Sequence, residues 1–83
     1  MILCYAKAFR SDYKLICKRK WDFKKLVEQV GKITRAERDH NLKGKLTGKR
    51  ECHIGFDWVL VYEVVGDAIK LLRTGTHEDV LGV

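Results

Sequence analysis

The sequence predicts a small α+β fold: a short first strand, then an antiparallel two-helix hairpin packed on an antiparallel β-sheet, then a C-terminal tail. Three observations support this class. The chain has 83 residues, which suits a single domain covering residues 1–83. Apolar residues recur at helical spacing in the first half. The second half consists of apolar runs separated by turn residues.

The first half is predicted to hold one strand and two helices. Residues 2–6 read as a short strand. A first helix follows, with apolar residues at helical spacing: Phe9, Tyr13, Ile16 and Cys17. Ser11 or Asp12 is placed to favour its first turn. Asp22 is a good N-cap for a second helix, whose apolar stripe comprises Phe23, Leu26, Val27, Val30 and Ile33. The short connection makes the two helices antiparallel neighbours.

The second half is predicted to form an antiparallel meander after a polar loop over residues 34–47. Glycine-containing turns at 55–57 and 66–67 separate the apolar runs. The three expected strands cover 49–54, 58–64 and 68–73. Sequential strands with short turns pair as neighbours. Residues 74–83 are expected to be a tail with one short helical turn after His77.

The charge is strongly basic and unevenly distributed. Lys and Arg total 17 against 11 Asp and Glu, which gives a net charge of +6. Residues 1–50 hold 15 basic and 5 acidic side chains, and residues 51–83 hold 2 and 6. This distribution favours a polyanionic partner such as nucleic acid. A lysine-rich helical surface that only keeps the protein dissolved is the plainer alternative.

The three cysteines, Cys4, Cys17 and Cys52, are odd in number and widely spaced, which suits a reducing compartment. The first residues lack the apolar core of a signal peptide, and no apolar run approaches the ~20 residues that span a bilayer. We therefore expect a cytoplasmic protein with no membrane partner. No Cys-x-x-Cys or His-x₃₋₅-His spacing is present, so no metal site is expected. The chain is also too short for a dinucleotide-binding domain, and no cofactor is expected.

Chemically capable residues lie almost entirely in the second half. All three histidines, His40, His53 and His77, follow residue 39, and Asp57 and Arg73 lie among them. RNA can be cut without a metal when its own 2′-hydroxyl attacks the phosphate. Histidine suits the proton transfers of that reaction, and arginine suits the charge on the phosphate. These residue types therefore make RNA cleavage a candidate activity.

Each of these residues also has a structural interpretation. Asp57 sits where a residue could cap a turn, and Arg73 sits near a strand end. Trp58 or Tyr62 could stack on an unpaired base, but a tryptophan in an apolar strand belongs to the core more often. Topology alone does not bring the 53–58 turn and the 73–77 segment together. These residues alone therefore indicate a small basic α+β domain that could cleave RNA.

A longer motif extends this interpretation. The sequence resembles the YafQ branch of the RelE toxins in the pattern His53-x₃-Asp57-Trp58-x-Leu60-x-Tyr62, followed by Arg73-Thr74-Gly75-Thr76-His77. Asp39-His40, with Leu42 and Gly44, also resembles the loop of that family before its second strand. The resemblance implies a bacterial type II toxin: a ribosome-dependent, metal-independent mRNA endoribonuclease held inactive by an antitoxin.

The resemblance also implies roles for individual residues. His40, His53, Asp57 and His77 match the acid–base positions of the family, and Arg73 matches its phosphate-binding arginine. Our preferred assignment gives proton transfer to His77 with Asp57. The choice of general acid and general base stays open.

Expected RNA contacts include Trp58 and the cations of the helical hairpin, which would grip ribosomal RNA: Lys14, Lys18, Arg19, Lys20, Lys24 and Lys25. Leu81 stands where such toxins usually carry an aromatic residue four positions after the last histidine, so stacking there is expected to be weaker. The expected partners are an antitoxin, mRNA and the ribosome, with operator DNA bound only through the antitoxin complex.

Two alternatives remain within the same architecture. One is a ParE-like gyrase inhibitor, a branch that lacks the histidine set. The other is a binding module that represses its operator together with an antitoxin. The presence of His40, His53 and His77 together favours the nuclease.

Overall fold

The computed structural model describes residues 2–39 and 48–82. The elements follow one another as β1 (Ile2–Tyr5), α1 (Lys7–Lys18), α2 (Phe23–Asp39), β2 (Gly48–Gly55), β3 (Trp58–Val65), β4 (Ala68–Gly75) and α3 (His77–Leu81). The predicted α+β class is confirmed. His40 and residues 41–47, which the sequence assigned to a loop, lie outside the described residues.

The four strands form one sheet in the order β1-β4-β3-β2. Strands β2, β3 and β4 make the expected antiparallel meander. The prediction of a wholly antiparallel sheet is wrong at one edge, because β1 pairs parallel to β4, from Ile2 opposite Ala68 to Tyr5 opposite Leu71. Parallel partners need a long crossover. The helical hairpin and the two intervening strands supply it here.

The connection between α1 and α2 follows the local sequence closely. The N–H of Trp21 donates to the carbonyl of Ile16 at 3.2 Å and that of Lys20 to Cys17 at 3.1 Å. This is the Schellman arrangement, and its left-handed position is held by Lys20 at φ 60°. Asp22 then accepts the backbone N–H of Lys24 at 3.0 Å, as expected of an N-cap.

Helix α2 continues to Asp39, so the loop predicted from residue 34 onwards is wrong over its first part. Arg35 and Ala36 favour a helix intrinsically, and both are exposed. Their exposure explains why the apolar periodicity fades before the helix ends. Strand β4 also runs to Gly75, two residues beyond the predicted end.

The core lies between the helical hairpin and the sheet. The helices contribute Phe9, Ile16, Leu26 and Ile33, and the strands contribute Trp58, Leu60, Val64, Ile69 and Leu71. Only part of each predicted apolar stripe is buried: Tyr13, Cys17, Phe23 and Val27 are exposed. In the described part of the chain, no helix is both long and apolar enough to cross a membrane.

Candidate active site

Two histidines and an aspartate meet where the β2–β3 turn approaches the start of α3. The Nδ1 of His77 lies 2.6 Å from Oδ1 of Asp57. The same oxygen accepts the backbone N–H of His77 at 3.0 Å. On the other side of the ring, Nε2 of His77 lies 3.1 Å from Nε2 of His53. The three side chains therefore form a continuous hydrogen-bonded row.

Local backbone geometry places this row. Gly55 pairs with Trp58, so Phe56 and Asp57 form a two-residue turn and Asp57 projects from the end of the sheet. Thr76 caps α3 by accepting the N–H of Asp79 at 3.0 Å. This cap makes His77 the first residue of the helix.

Gly75 allows α3 to lie against the end of β4. Its φ is +153°, and a Cβ there would come within 3.3 Å of the Cβ of Asp79. A larger side chain would push α3 away from the strand. The distance from His77 to Asp57 depends on this close approach.

The row constrains where protons sit. Asp57 accepts from His77, and this hydrogen bond holds the pKa of the Asp57 carboxyl below its usual value. Nδ1 of His77 therefore carries a proton, and its Nε2 is the atom left for proton exchange. The Nε2···Nε2 contact accommodates one proton, because two facing N–H groups would repel each other. The histidine pair is thus arranged to pass a single proton.

Arg73 is aimed by an irregularity in β4. Val61 pairs with Arg73 and Tyr62 with Leu71, so Leu72 is an extra residue in the ladder. Regular alternation would place Arg73 on the same face as the buried Leu71. The bulge turns Arg73 out of the core and turns Thr74 into it, where Thr74 is 1% exposed.

Asp12 of α1 holds the guanidinium. Nε of Arg73 donates to Oδ2 of Asp12 at 2.6 Å and Nη2 to Oδ1 at 3.1 Å. Oδ2 also accepts the N–H of Thr74 at 3.1 Å. Strand β1 ends its pairing with β4 at Tyr5 opposite Leu71, so it does not reach Thr74. Asp12 accepts the Thr74 N–H in place of a carbonyl of β1. The hydrogen bond to Asp12 raises the pKa of Arg73.

A second ion pair ties α1 to α3 beside Arg73. Nη1 of Arg19 donates to Oδ2 of Asp79 at 3.0 Å, and this contact lowers the pKa of the Asp79 carboxyl. Nη2 of Arg73 donates to the carbonyl of Asp79 at 3.3 Å. The arginine and the histidine row therefore border the same short helix.

The structure corrects one predicted contact. Trp58 is 6% exposed, and its Nε1 donates to Oγ1 of Thr74 at 2.8 Å. Because its ring packs in the core, 5.0 Å from the ring of Trp21, it has no free face for a base. The interpretation of Trp58 as a core residue replaces that of a stacking platform.

The remaining predicted residues are placed as follows. His40 lies outside the described residues. Leu81 is 43% exposed at the end of α3. The predicted RNA-binding cations are all exposed: Lys14, Lys18, Arg19, Lys20, Lys24 and Lys25. Arg19, however, is engaged by Asp79 and lies over the ring of Trp21, 5.2 Å from its centroid.

Two residues of this region, Asp12 and Phe56, have positions that the sequence did not predict. Asp12 was assigned to the first turn of a helix but lies in mid-helix, bound to Arg73. The sequence feature that could have indicated this contact is that Asp12 is the one acidic residue between positions 7 and 20. Phe56 was read only as part of a turn, and it is fully exposed beside Asp57.

Comparison with known proteins identifies the family. A family model described as the bacterial toxin of type II toxin–antitoxin systems, YafQ, matches residues 2–82. The mRNA interferase toxin YafQ of Escherichia coli is 31% identical over 85 residues, which cover 94% of this chain and 92% of that protein. The chain therefore belongs to the YafQ family of type II toxins.

Solved structures agree with this assignment. A copper-bound mutant toxin from Helicobacter pylori has a TM-score of 0.79 and 35% identity, covering 96% of this chain and 98% of its own. The E. coli DinJ–YafQ toxin–antitoxin complex has a TM-score of 0.70 and 28% identity, covering 96% of each chain. The expected RelE-like fold is confirmed.

Proposed function

We propose that this toxin is an mRNA endoribonuclease that acts on the translating ribosome in the bacterial cytoplasm. The observation that carries the proposal is the row of Asp57, His77 and His53, in which Nδ1 of His77 is anchored by Asp57 and its Nε2 faces His53. This arrangement suits attack by a ribose 2′-hydroxyl, which needs a proton removed there and another given to the leaving 5′-oxygen. The mRNA interferase activity of the E. coli relative agrees with it.

In this mechanism, RNA enters between the two imidazoles and replaces their 3.1 Å contact. His77, oriented by Asp57, transfers one of the protons, and His53 faces the same link from the opposite side. Arg73 offers N–H groups not used by Asp12 to the phosphate oxygens, which gain charge as the reaction proceeds. His40 is proposed as a further acid–base residue on the strength of the family motif alone.

The test is a primer-extension assay of a message on translating ribosomes, with wild-type protein and with His77→Ala. New cuts in the A site are expected with the wild type, and a fall of ~10²- to 10⁴-fold with the variant. The alanine keeps the backbone N–H that binds Asp57, so the fold is expected to survive. Absence of cuts by the wild type, with DNA damage on induction instead, would favour a gyrase inhibitor.

We further propose that a cognate antitoxin covers an apolar groove between α1, α2 and the β1 edge. The groove has a volume of 660 Å³ and is lined by Tyr5, Phe9, Leu26, Val27 and Val30, with Arg10 and Lys14 at its rim. Apolar lining with a cationic rim fits an amphipathic segment carrying acidic residues. Complexes of a related toxin with the antitoxin DinJ support such a partner. Operator DNA would then be bound only through this complex.

Val27 is 61% exposed, so its replacement should leave the fold intact. Val27→Glu is expected to weaken antitoxin binding in a calorimetric titration and to leave mRNA cleavage unchanged. Unchanged antitoxin affinity would remove the groove from the interface. Loss of cleavage with unchanged antitoxin affinity would assign the groove to the ribosome instead.

A further inference from the structure

A second cavity adjoins the histidine row. It has a volume of 370 Å³ and lies between the β2–β3 turn and the beginning of α2. Its walls include Phe56, Asp57, Thr76, Trp21 and Lys25. Two of these residues adjoin the histidine row: Asp57 binds His77, and Thr76 directly precedes His77 in the chain. Anything seated in this pocket would lie against Asp57, the carboxylate that orients His77.

Phe56 is the unusual member of this wall. It occupies a two-residue turn, where glycine and small polar residues are usual, and its side chain is 102% exposed. Since its ring is not buried in the fold, it does not contribute to the core. An exposed aromatic ring beside a cleavage site for single-stranded RNA offers a face for an unpaired base.

The rest of the pocket suits the same ligand. Trp21, which is half-buried and packs on Trp58 with 5.0 Å between ring centroids, gives the pocket an aromatic side. Lys25 is exposed and lines the pocket on the α2 side, so it brings a positive charge to this site. A ring for stacking together with a cation for the phosphate is the usual chemistry of single-strand binding.

We propose that this pocket binds the base of a nucleotide next to the cleaved link, with Phe56 as its stacking surface. The inference rests on the proposed nuclease function and names a specificity site for it. Stacking holds the neighbouring nucleotide and so places the ribose-phosphate between His53 and His77.

The test compares Phe56→Ala, Phe56→Trp and a matched control, Val65→Ala. Val65 is also apolar, 53% exposed and beside a turn, at the opposite end of β3. Cleavage of mRNA on programmed ribosomes is measured as kcat and KM. Phe56→Ala is expected to lower kcat/KM about tenfold, mainly through KM. Phe56→Trp should keep the wild-type value, and Val65→Ala should change nothing.

An abasic nucleotide on either side of the cleaved link sharpens the result. At the stacked position, an abasic nucleotide should lower the kcat/KM of the wild type as much as Phe56→Ala does. Combining the abasic nucleotide with Phe56→Ala should lower kcat/KM no further than either change alone. Equal kcat/KM for wild type and Phe56→Ala would overturn the proposal, as would additive losses. Weaker antitoxin binding with unchanged cleavage would overturn it in favour of a protein interface. A wild type without any cleavage would instead refute the nuclease function itself.

Discussion

The guanidinium of Arg73 uses some of its N–H groups to bind Asp12 and leaves others for the proposed contact with phosphate oxygens. Nε and Nη2 are held by Asp12, and Nη2 also reaches the carbonyl of Asp79. Among described residues, no hydrogen bond engages Nη1. The carboxylate also offsets part of the arginine's positive charge. Arg73 is therefore a positioned hydrogen-bond donor rather than a free cation.

We expect Asp12→Ala to weaken both the fold and the activity. The change leaves the N–H of Thr74 without its acceptor, which should lower the free energy of unfolding by roughly 1–3 kcal/mol. An unrestrained Arg73 should slow mRNA cleavage by up to about 100-fold. Urea unfolding and the ribosomal cleavage assay measure the two effects.

Asp12→Asn separates these contributions, because its amide oxygen can still accept from Thr74 but lacks the charge that holds Arg73. Its stability should lie between those of Asp12→Ala and the wild type. Asp67→Asn, at the exposed β3–β4 turn, is the control and should change neither quantity. Faster cleavage by Asp12→Asn would show that Asp12 withholds the arginine from RNA.

Individual site residues were predictable to different degrees. His53, Asp57 and His77 could be named from the sequence because their motif is specific. The partner of Arg73 could not, because Asp12 lies 61 residues away in the chain. No local pattern marks the extra residue Leu72, which decides on which face Arg73 emerges.

At the scale of elements, the α1–α2 connection carries local strain. Lys20 adopts φ 60°, a conformation that a residue with a Cβ adopts at a cost of about 1–2 kcal/mol. Lys20→Gly should relieve it and raise the free energy of unfolding by about 1 kcal/mol. Thermal and urea unfolding measure the gain. Lys18→Gly, inside the last turn of α1, should instead destabilise by a similar amount.

The contact between α1 and α3 should depend on pH. Arg19 lowers the pKa of Asp79 from its ordinary 3.8, so this pair adds stability above that pH. The contribution is lost as the pH falls through the lowered folded-state value. Wild type should therefore exceed Asp79→Asn in free energy of unfolding at pH 7, and the gap should close in acid.

A series of urea unfolding curves from neutral pH to about pH 2 tests this. Glu78→Gln, which removes the neighbouring carboxylate of α3, is the control, since Glu78 makes no ion pair among the described residues. A gap that widens in acid would contradict the Arg19–Asp79 link.

Element boundaries were predicted where apolar pattern and caps coincide. Helix α2 begins as Asp22 indicated, and β3 follows its run of Trp, Val, Leu and Tyr. The far end of α2 was missed because Arg35 and Ala36 are exposed and continue no apolar pattern. The parallel β1–β4 pair was missed because turn signals report only on strands adjacent in the chain.

For the whole molecule, the structure shows where the excess positive charge of the first half lies. The cations of α1 and α2 are exposed on the helical layer, while the histidine row lies at the end of the sheet. Under the proposed function, the helical layer is expected to contact ribosomal RNA while the histidine row is left for the message.

Binding to ribosomes should consequently weaken steeply as salt rises, because each phosphate contact releases counterions. Removing Lys18 and Lys24 together should reduce the slope of log affinity against log salt by about two units. Lys70→Ala, on β4, should leave the slope unchanged. Binding that does not respond to salt would exclude this surface as the ribosome contact.

The pairing of β1 with β4 has a consequence for synthesis. Since β1 emerges from the ribosome long before β4 exists, the sheet edge stays open until most of the polypeptide has been made. Asp12 in α1 likewise has no guanidinium to bind until Arg73 of β4 has been synthesised. A nascent chain halted before α3 holds Asp12 and Arg73 but lacks His77 and Asp79, so under the proposed function we expect it to cleave no RNA. Under the proposed function, cleavage would therefore wait for α3, the last element of the fold to be synthesised.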